Sequence, residues 1–362
     1  MKKKSTAKKV LLTILGVLLA LVIVLVGTVY AIWHDEITTL LSFQQVTQRD
    51  ESHQDGSVYV LNVSGGYHFD EFLAQGGASN DTELISFITN SITKGIIPMS
   101  IKTSEIACSA FTADTADGDR VFGRNYDFHE TNTVIVYTNP GNGRHASYST
   151  VDLQFLGLDS TKDVTTFGQK ILTLAAPFAP LDGVNEKGLA VGVLQIKTTP
   201  TNQQTDKVDI TTTSAIRLLL DRAATVEEAV ELLSQYDMHA SAGSCYHFHI
   251  ADTKGGSVIV EYIDDEMSVV QGDAATNFLL TPGEYDFGSG EDRYAILRET
   301  LDANGGVFEN EEQAMELLKA VSQPVSEEKK SSTQWSCVYN QQDAGVEIAM
   351  NMDYEKVYTF GL

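Results

Sequence analysis

Cysteine is scarce in this sequence: three residues in 362, namely Cys108, Cys245 and Cys337. So few thiols exclude a small disulfide scaffold, and their odd number leaves at least one free or paired between molecules. A Cys245–Cys337 bridge stays open. Basic residues are also few, 25 against 49 acidic, for a net charge of −24. Five of the 25 are Lys2, Lys3, Lys4, Lys8 and Lys9, and no acid precedes Asp35. From residue 34 onward the balance is therefore 20 basic against 49 acidic, or −29. That argues against nucleic-acid binding, which needs basic surface. No internal repeat is visible. No Gly-x-Ser-x-Gly elbow occurs, so a serine α/β-hydrolase is unsupported. Ser91-Ile92-Thr93-Lys94 has the spacing of a serine–lysine motif, but its Ser-Asp-Asn and Lys-Thr-Gly partners are missing, and it reads as a helix end. His247 and His249 share one strand face without a third ligand, so no metal and no cofactor is implied.

Charge is absent from Val10 to Trp33, a 24-residue apolar run. It is long enough to cross a bilayer as a helix. The lysines before it place the N-terminus in the cytoplasm and the remainder outside. A cleaved signal peptide is the competing reading, because Val29-Tyr30-Ala31 resembles a cleavage site. No cysteine follows the run closely, which argues against a lipoprotein anchor. Residues 34 to 57 are polar and read as a stalk with one helix near the membrane. The expected organisation is a basic tail (1–9), an anchor helix (10–33), a stalk and the segment after it (34–107) and a large globular domain (108–362).

What the chain does hold is concentrated in Ile106 to Phe128. Small and β-compatible residues from Ala107 to Ala113 are followed by Asp117-Gly118-Asp119, a hairpin turn signal, and by a returning strand from Arg120 to Arg124. Folding the second strand along the first brings Arg124 and Asp127 near Cys108. A thiol beside a fixed guanidinium is a candidate nucleophile, because cationic neighbours stabilise the thiolate. Taken alone, Cys108 reads as a buried structural thiol; the spacing to Arg124 and Asp127 favours catalysis. Phe122-Gly123 and Phe128 flank the two charges and imply partial burial, where an unpaired charge is costly.

The pattern Cys108-x15-Arg124-Asn125-x-Asp127 resembles that of the choloylglycine hydrolase and acid ceramidase superfamily. Further matches follow in order: Asp182-Gly183-Val184-Asn185-Glu186-Lys187-Gly188-Leu189, then Ala275-Thr276-Asn277, then Arg293, then Thr333-Gln334-Trp335-Ser336. The likeness covers residues 106 to 362. It implies an α+β fold, the four-layer αββα sandwich of N-terminal-nucleophile (Ntn) hydrolases, preceded here by one transmembrane helix. Pattern alone gives strands, then helices, then strands, hence stacked sheets with helices outside. Strands are expected at Val58–Val63, Thr133–Thr138, Ser147–Phe155 and Ala190–Ile196, with a hairpin of Tyr246–Ala251 and Ser257–Tyr262. Helices are expected at Asp81–Thr93, Ser214–Ala223, Thr225–Tyr236, Glu291–Leu301 and Glu311–Val321, and Trp335–Met350 returns to β.

The resemblance also implies roles. Cys108 becomes an N-terminus when the Ala107–Cys108 bond breaks, and its α-amine, with an ordinary pKa of about 8, takes the thiol proton. Arg124 holds negative charge near the thiolate and Asp127 orients the amine. Asn277 stabilises the tetrahedral oxyanion. Gln195 occupies a position where relatives carry Asn or Tyr and contributes to the oxyanion hole; an outward strand Gln is the alternative. Arg293 matches a late arginine near the nucleophile, with a solvated first-turn charge as its alternative. The expected partner is a small N-acyl amide, cleaved outside the cell, with acyl transfer to an amine or a silent binding protein as the other readings.

Overall fold

The computed structural model describes residues 2–47, 56–95, 107–325 and 331–361. Apolar sequence from residue 10 builds α1 (Lys2–Ile32), none of whose residues from Lys8 to Ile32 is buried. The helix breaks at Trp33 and resumes as α2 (His34–Ser42), followed by the short β1 (Gln44–Gln45), β2 (Val58–Val63), α3 (Phe69–Ala74) and α4 (Asp81–Ile92). Asn80 caps α4 by accepting the Glu83 N–H at 3.0 Å, which satisfies one of the orphan donors of a helix start.

Here the structure corrects the stalk. Residues 34 to 47 are folded onto the domain: Asp35 accepts from the Ser64 hydroxyl at 3.1 Å, Thr39 Oγ1 from the Ser64 N–H at 2.9 Å, and Ser42 Oγ from the Asn62 N–H at 2.9 Å. Polar composition suggested solvent, but these side chains spend their hydrogen bonds on the edge of β2. Expectations that fall on residues 48–55 and 96–106 lie outside the described residues.

The hairpin at the centre of the sequence forms as expected: β3 (Ala107–Thr115) and β4 (Arg120–Phe128) pair antiparallel, and Gly118, at φ +91°, takes the left-handed turn position. Next come β5 (Thr133–Thr138), β6 (Ser147–Asp152), α5 (Phe167–Leu172), β7 (Asp182–Asn185) and β8 (Ala190–Ile196). The sixth strand stops three residues short of its expected end because Asp152 accepts the Gln154 N–H at 2.8 Å and turns the chain into a tight helical turn. Then follow β9 (Val208–Thr211), α6 (Thr212–Arg222), α7 (Val226–Leu233), β10 (Tyr236–His239), β11 (Cys245–Ala251), β12 (Ser257–Ile263) and β13 (Glu266–Gln271). The chain closes with β14 (Ala274–Ala275), α8 (Glu291–Ala303), β15 (Val307–Phe308), α9 (Glu311–Ala320), β16 (Ser332–Asn340), β17 (Gly345–Met350) and β18 (Val357–Phe360).

Two large sheets result. One runs β1-β2-β5-β6-β7-β8-β11-β12-β13, and the other runs β14-β3-β4-β16-β17-β18 with β15 beside β3. They face each other where β3 meets β8 and β11. Helices α6 and α7 cover the first sheet, and α8 and α9 the second. Six strands, β4, β7, β8, β11, β14 and β16, are buried at every residue; β8 accordingly reads as a near-continuous apolar run, whereas β4 and β16 bury polar side chains that find partners inside. The segment before β3 is part of this architecture: β2 pairs parallel with β5, and Phe69, Phe72 and Phe87 cluster on Phe178 with ring centroids 5.8 to 5.9 Å away. All three cysteines are free and buried.

Candidate active site

Register on the hairpin decides what surrounds the thiol. Cys108 lies opposite Tyr126, and Ala110 opposite Arg124. Alternation therefore puts Cys108, Arg124 and Tyr126 on one face, and Ser109 and Asp127 on the other. The first face looks into the gap between the sheets. There Arg124 Nη2 reaches Cys108 Sγ at 3.4 Å, while its Nε donates to Asp182 at 2.7 Å. Gly192 on β8 makes room for this side chain: a Cβ there would stand 2.8 Å from Arg124 Cδ. Asp182 also accepts from Thr150, from Tyr339 at 2.5 Å and from Trp335 Nε1 at 3.2 Å. A fully buried carboxylate with four donors holds the guanidinium in place. Arg124 Nη1 is buried without a partner.

On the opposite face, Asp127 accepts from the Thr333 hydroxyl at 2.6 Å and lies 3.5 Å from Arg293. Arg293, in the first turn of α8, reaches back to the start of β3. It donates to the Cys108 carbonyl at 2.5 Å and to Ser109 Oγ at 2.7 Å. It also donates to Asn277 Oδ1 at 2.9 Å. That same oxygen accepts the Cys108 N–H at 2.9 Å, the nitrogen of the Ala107–Cys108 bond. The two faces thus meet at the main chain of Cys108.

Of the six residues singled out in the sequence, five have side chains around Cys108 in this way: the thiol itself, Arg124, Asp127, Asn277 and Arg293. Gln195 enters differently. Its main-chain carbonyl accepts from Asn277 Nδ2 at 2.9 Å, whereas its side-chain amide donates to Ser244 Oγ at 2.6 Å. The cluster also contains Asp182, Thr333 and Ser109, which the sequence reading left without roles. Asp182 carried a signal, since a carboxylate that opens a buried strand requires a buried cation. His247 and His249 are core residues: His247 bonds Glu261 and the Thr276 carbonyl, and His249 bonds Ser257. Burial pushes the His249 pKa down to about 3.

Burial dominates the electrostatics of the thiol. Cys108 is wholly inaccessible, and desolvation pushes its pKa up to about 11, against the opposing pull of Arg124 and Arg293. A cavity of about 80 Å³ lies on the Asp127 face of the hairpin, bordered by Ala107, Asp127, Gly290 and Arg293. With the chain continuous, the sulfur is held protonated.

Comparison with known proteins bears out the family likeness. Residues 108–281 match the model for linear amide C-N hydrolases of the choloylglycine hydrolase family. Over 102 residues the chain is 34% identical to a penicillin V acylase of Pectobacterium atrosepticum, covering 24% of this chain and 26% of that protein. The match thus spans about a quarter of that relative's length. Among solved structures, a mutant of the conjugated bile acid hydrolase from Clostridium perfringens has a TM-score of 0.53 at 17% identity, over 70% of this chain and 92% of that one. Penicillin V acylase from Agrobacterium tumefaciens has a TM-score of 0.51 at 18% identity, over 70% and 86%. At such identities the structures speak for the fold, which is of the Ntn-hydrolase α+β type. The class that match and fold together support is the linear amide C-N hydrolases.

Proposed function

We propose that this chain is a hydrolase of linear N-acyl amides, working through Cys108 as an N-terminal nucleophile after the Ala107–Cys108 bond is cut. The observation that carries this reading is the convergence on Cys108 of Arg124 at the sulfur and Asn277 at the nitrogen. In the cut chain the new α-amine replaces the amide N–H beside Asn277 Oδ1, with Asp127 close by to orient it. The amine takes the thiol proton, the sulfur attacks the substrate carbonyl, and the proton passes to the departing amine. Water then splits the thioester, releasing the acid and restoring the thiol. The unpartnered Nη1 of Arg124 is a donor available to negative charge developing at this point. Arg293 fixes the main chain of Cys108, and Gln195 acts through its carbonyl by orienting Asn277. Self-cleavage uses the same atoms: Sγ attacks the Ala107 carbonyl, the Cys108 nitrogen leaves as an amine, and water releases residue 107.

The same reading assigns 10–33 as a membrane anchor, with 1–9 cytoplasmic and the rest outside. The alternative for this helix is a signal sequence, since it lies at the N-terminus and is exposed along its apolar length. Residues 34–107 become a pro-segment that stays on the catalytic domain, because β2 and the phenylalanine cluster bury their apolar faces there.

The test is intact mass and N-terminal sequencing of protein that turns over a panel of N-acyl amides, penicillin V and glycocholate. A chain of 255 residues beginning at Cys108 is expected, and Cys108→Ala should yield one full-length band. Active protein with an uncut Ala107–Cys108 bond would sink the mechanism.

A further inference from the structure

We propose that the catalytic domain rests directly on the bilayer, through a face at the root of α1 whose apolar groove accepts an acyl chain of a membrane lipid. This rests on reading α1 as an anchor and adds a docking surface to it.

The first observation is the lack of a spacer. The apolar helix ends at Ile32, a single residue, Trp33 (φ −121°, ψ 32°), breaks it, and α2 begins at His34. By Asp35 the chain is already bonded to the domain through Ser64, and Thr39 and Ser42 repeat that attachment one and two turns later. One residue reaches at most about 3.6 Å. A domain bound at Asp35 has no length with which to stand away from a bilayer that holds Ile32.

Exposure is the second observation. Outside α1, the two most exposed large apolar side chains among the described residues are Leu41, at 80%, and Phe167, at 72%. Both belong to this region: Leu41 is on α2, and Phe167 opens α5. Between these helices and the end of α1 lies a groove of about 320 Å³, walled by Val29, Trp33, Ile37, Leu40, Phe167 and Ile171. That volume is at the lower end of the roughly 300–1,000 Å³ typical of ligand pockets. Glu36 borders it but is turned to His68, 3.5 Å away. Lys170 follows Phe167 by one turn, with its Nζ 5.8 Å from the Phe43 ring centroid, where an ammonium suits an anionic headgroup.

A lipid chain is the fitting occupant because the groove shares its walls with the anchor. Val29 and Trp33 belong to α1 or its last link, so the groove opens where the hydrocarbon region meets the headgroups, the depth at which Trp is favoured.

Nitroxide labels on the full chain in nanodiscs of phosphatidylcholine and phosphatidylglycerol test this. Leu41→Cys, Phe167→Cys, Val307→Cys and Leu21→Cys are each labelled in a Cys108→Ala background, since Cys245 and Cys337 are buried. Val307 lies beside β3 on the other sheet and is the water-exposed control. Expected is preferential collision with oxygen at 41 and 167, as at 21, and with a nickel chelate at 307. If 41 and 167 are as accessible to nickel as 307 while 21 is not, the docking face is wrong and the anchor stands. If mass shows that α1 has been removed from the N-terminal piece, anchor and docking face fail together, whatever the substrate panel gives. Protection of 167 in lipid-free polymer, with a doubled particle mass, would assign the groove to a second copy of the chain and overturn the lipid.

Discussion

Among the described residues stand two fully buried arginine–aspartate pairs, and only one of them faces a thiol. Arg124–Asp182 closes at 2.7 Å and Arg217–Asp221 at 2.8 Å, all four side chains inaccessible. Each arginine lies over a tyrosine ring, Tyr126 or Tyr67. Each leaves buried N–H groups unpartnered: Nη1 of Arg124, and Nε and Nη1 of Arg217. Neither burial nor an orphaned donor, then, marks a catalytic arginine. The neighbours make the difference. Arg124 has a thiol 3.4 Å away. Arg217 has Ser147 at 2.7 Å, and its aspartate accepts from Tyr67 at 2.6 Å. Because Tyr67 belongs to the segment before β3, the second pair binds that segment to the domain. Asp70 reinforces the attachment from the surface through Arg144 and Arg222.

The largest expected effect breaks the comparison at its centre. Arg124→Gln and Arg217→Gln each strand a buried carboxylate, so each should lower unfolding free energy by about 3–5 kcal/mol in urea titrations. Per folded molecule, only Arg124→Gln should slow the reaction of Cys108 with iodoacetamide. An equal slowing in both would mean that Arg124 acts on the thiol through stability alone.

Tyr67→Phe sharpens the other half. It removes a hydrogen bond to a charged group, for about 1.5–3 kcal/mol. After cleavage the N-terminal piece should leave the domain at lower urea than in wild type, read by size exclusion, with turnover per intact complex unchanged. Loss of turnover in the intact complex would show that the second pair also serves the site.

The thiol itself gives a pH signature. An unfolded cysteine titrates near 9.0, and burial raises Cys108 in the continuous chain to about 11. Between those values the unfolded chain gives up its proton first. Stability from this group is therefore fully present below pH 9 and lost as pH rises toward 11. In the Arg124-intact, uncut chain, alkylation should climb across that window, and Cys108→Ala should remove the climb. A plateau already reached at pH 8 would contradict the buried, protonated thiol.

The smallest effect concerns Gln195. Since its carbonyl holds Asn277 while its amide bonds Ser244, Gln195→Ala should cost less than about tenfold in kcat, ~1.4 kcal/mol. Asn277→Ala removes the acceptor of the Cys108 nitrogen and of Arg293, and should cost about 10²-fold or more. Comparable losses would return the Gln195 side chain to the chemistry.

By itself the sequence determined the hairpin and most of what lies on it. Turn chemistry at Asp117-Gly118-Asp119 sets the register of β3 and β4, and register sets which residues neighbour Cys108, so Arg124 and Asp127 were legible from spacing alone. Ala190–Ile196 and Thr133–Thr138 were legible too, because each carries a short run of apolar, largely β-branched residues. Asn277 and Arg293 were reached only through the family likeness, for they meet Cys108 across 169 and 185 residues of chain. Tertiary structure decided the rest. Asp182 answers Arg124 from the opposite sheet, and no local pattern says which buried cation a carboxylate will meet. Residues 34–47 looked solvated because their side chains are polar, yet those side chains bond the edge of β2. For Gln195, alternation along β8 fixes the face its amide takes, but which face looks toward Cys108 follows from how two sheets stack. Local propensity and periodicity are written in neighbouring residues; the pairing of buried charges and the facing of sheets are settled only when distant segments exclude water together.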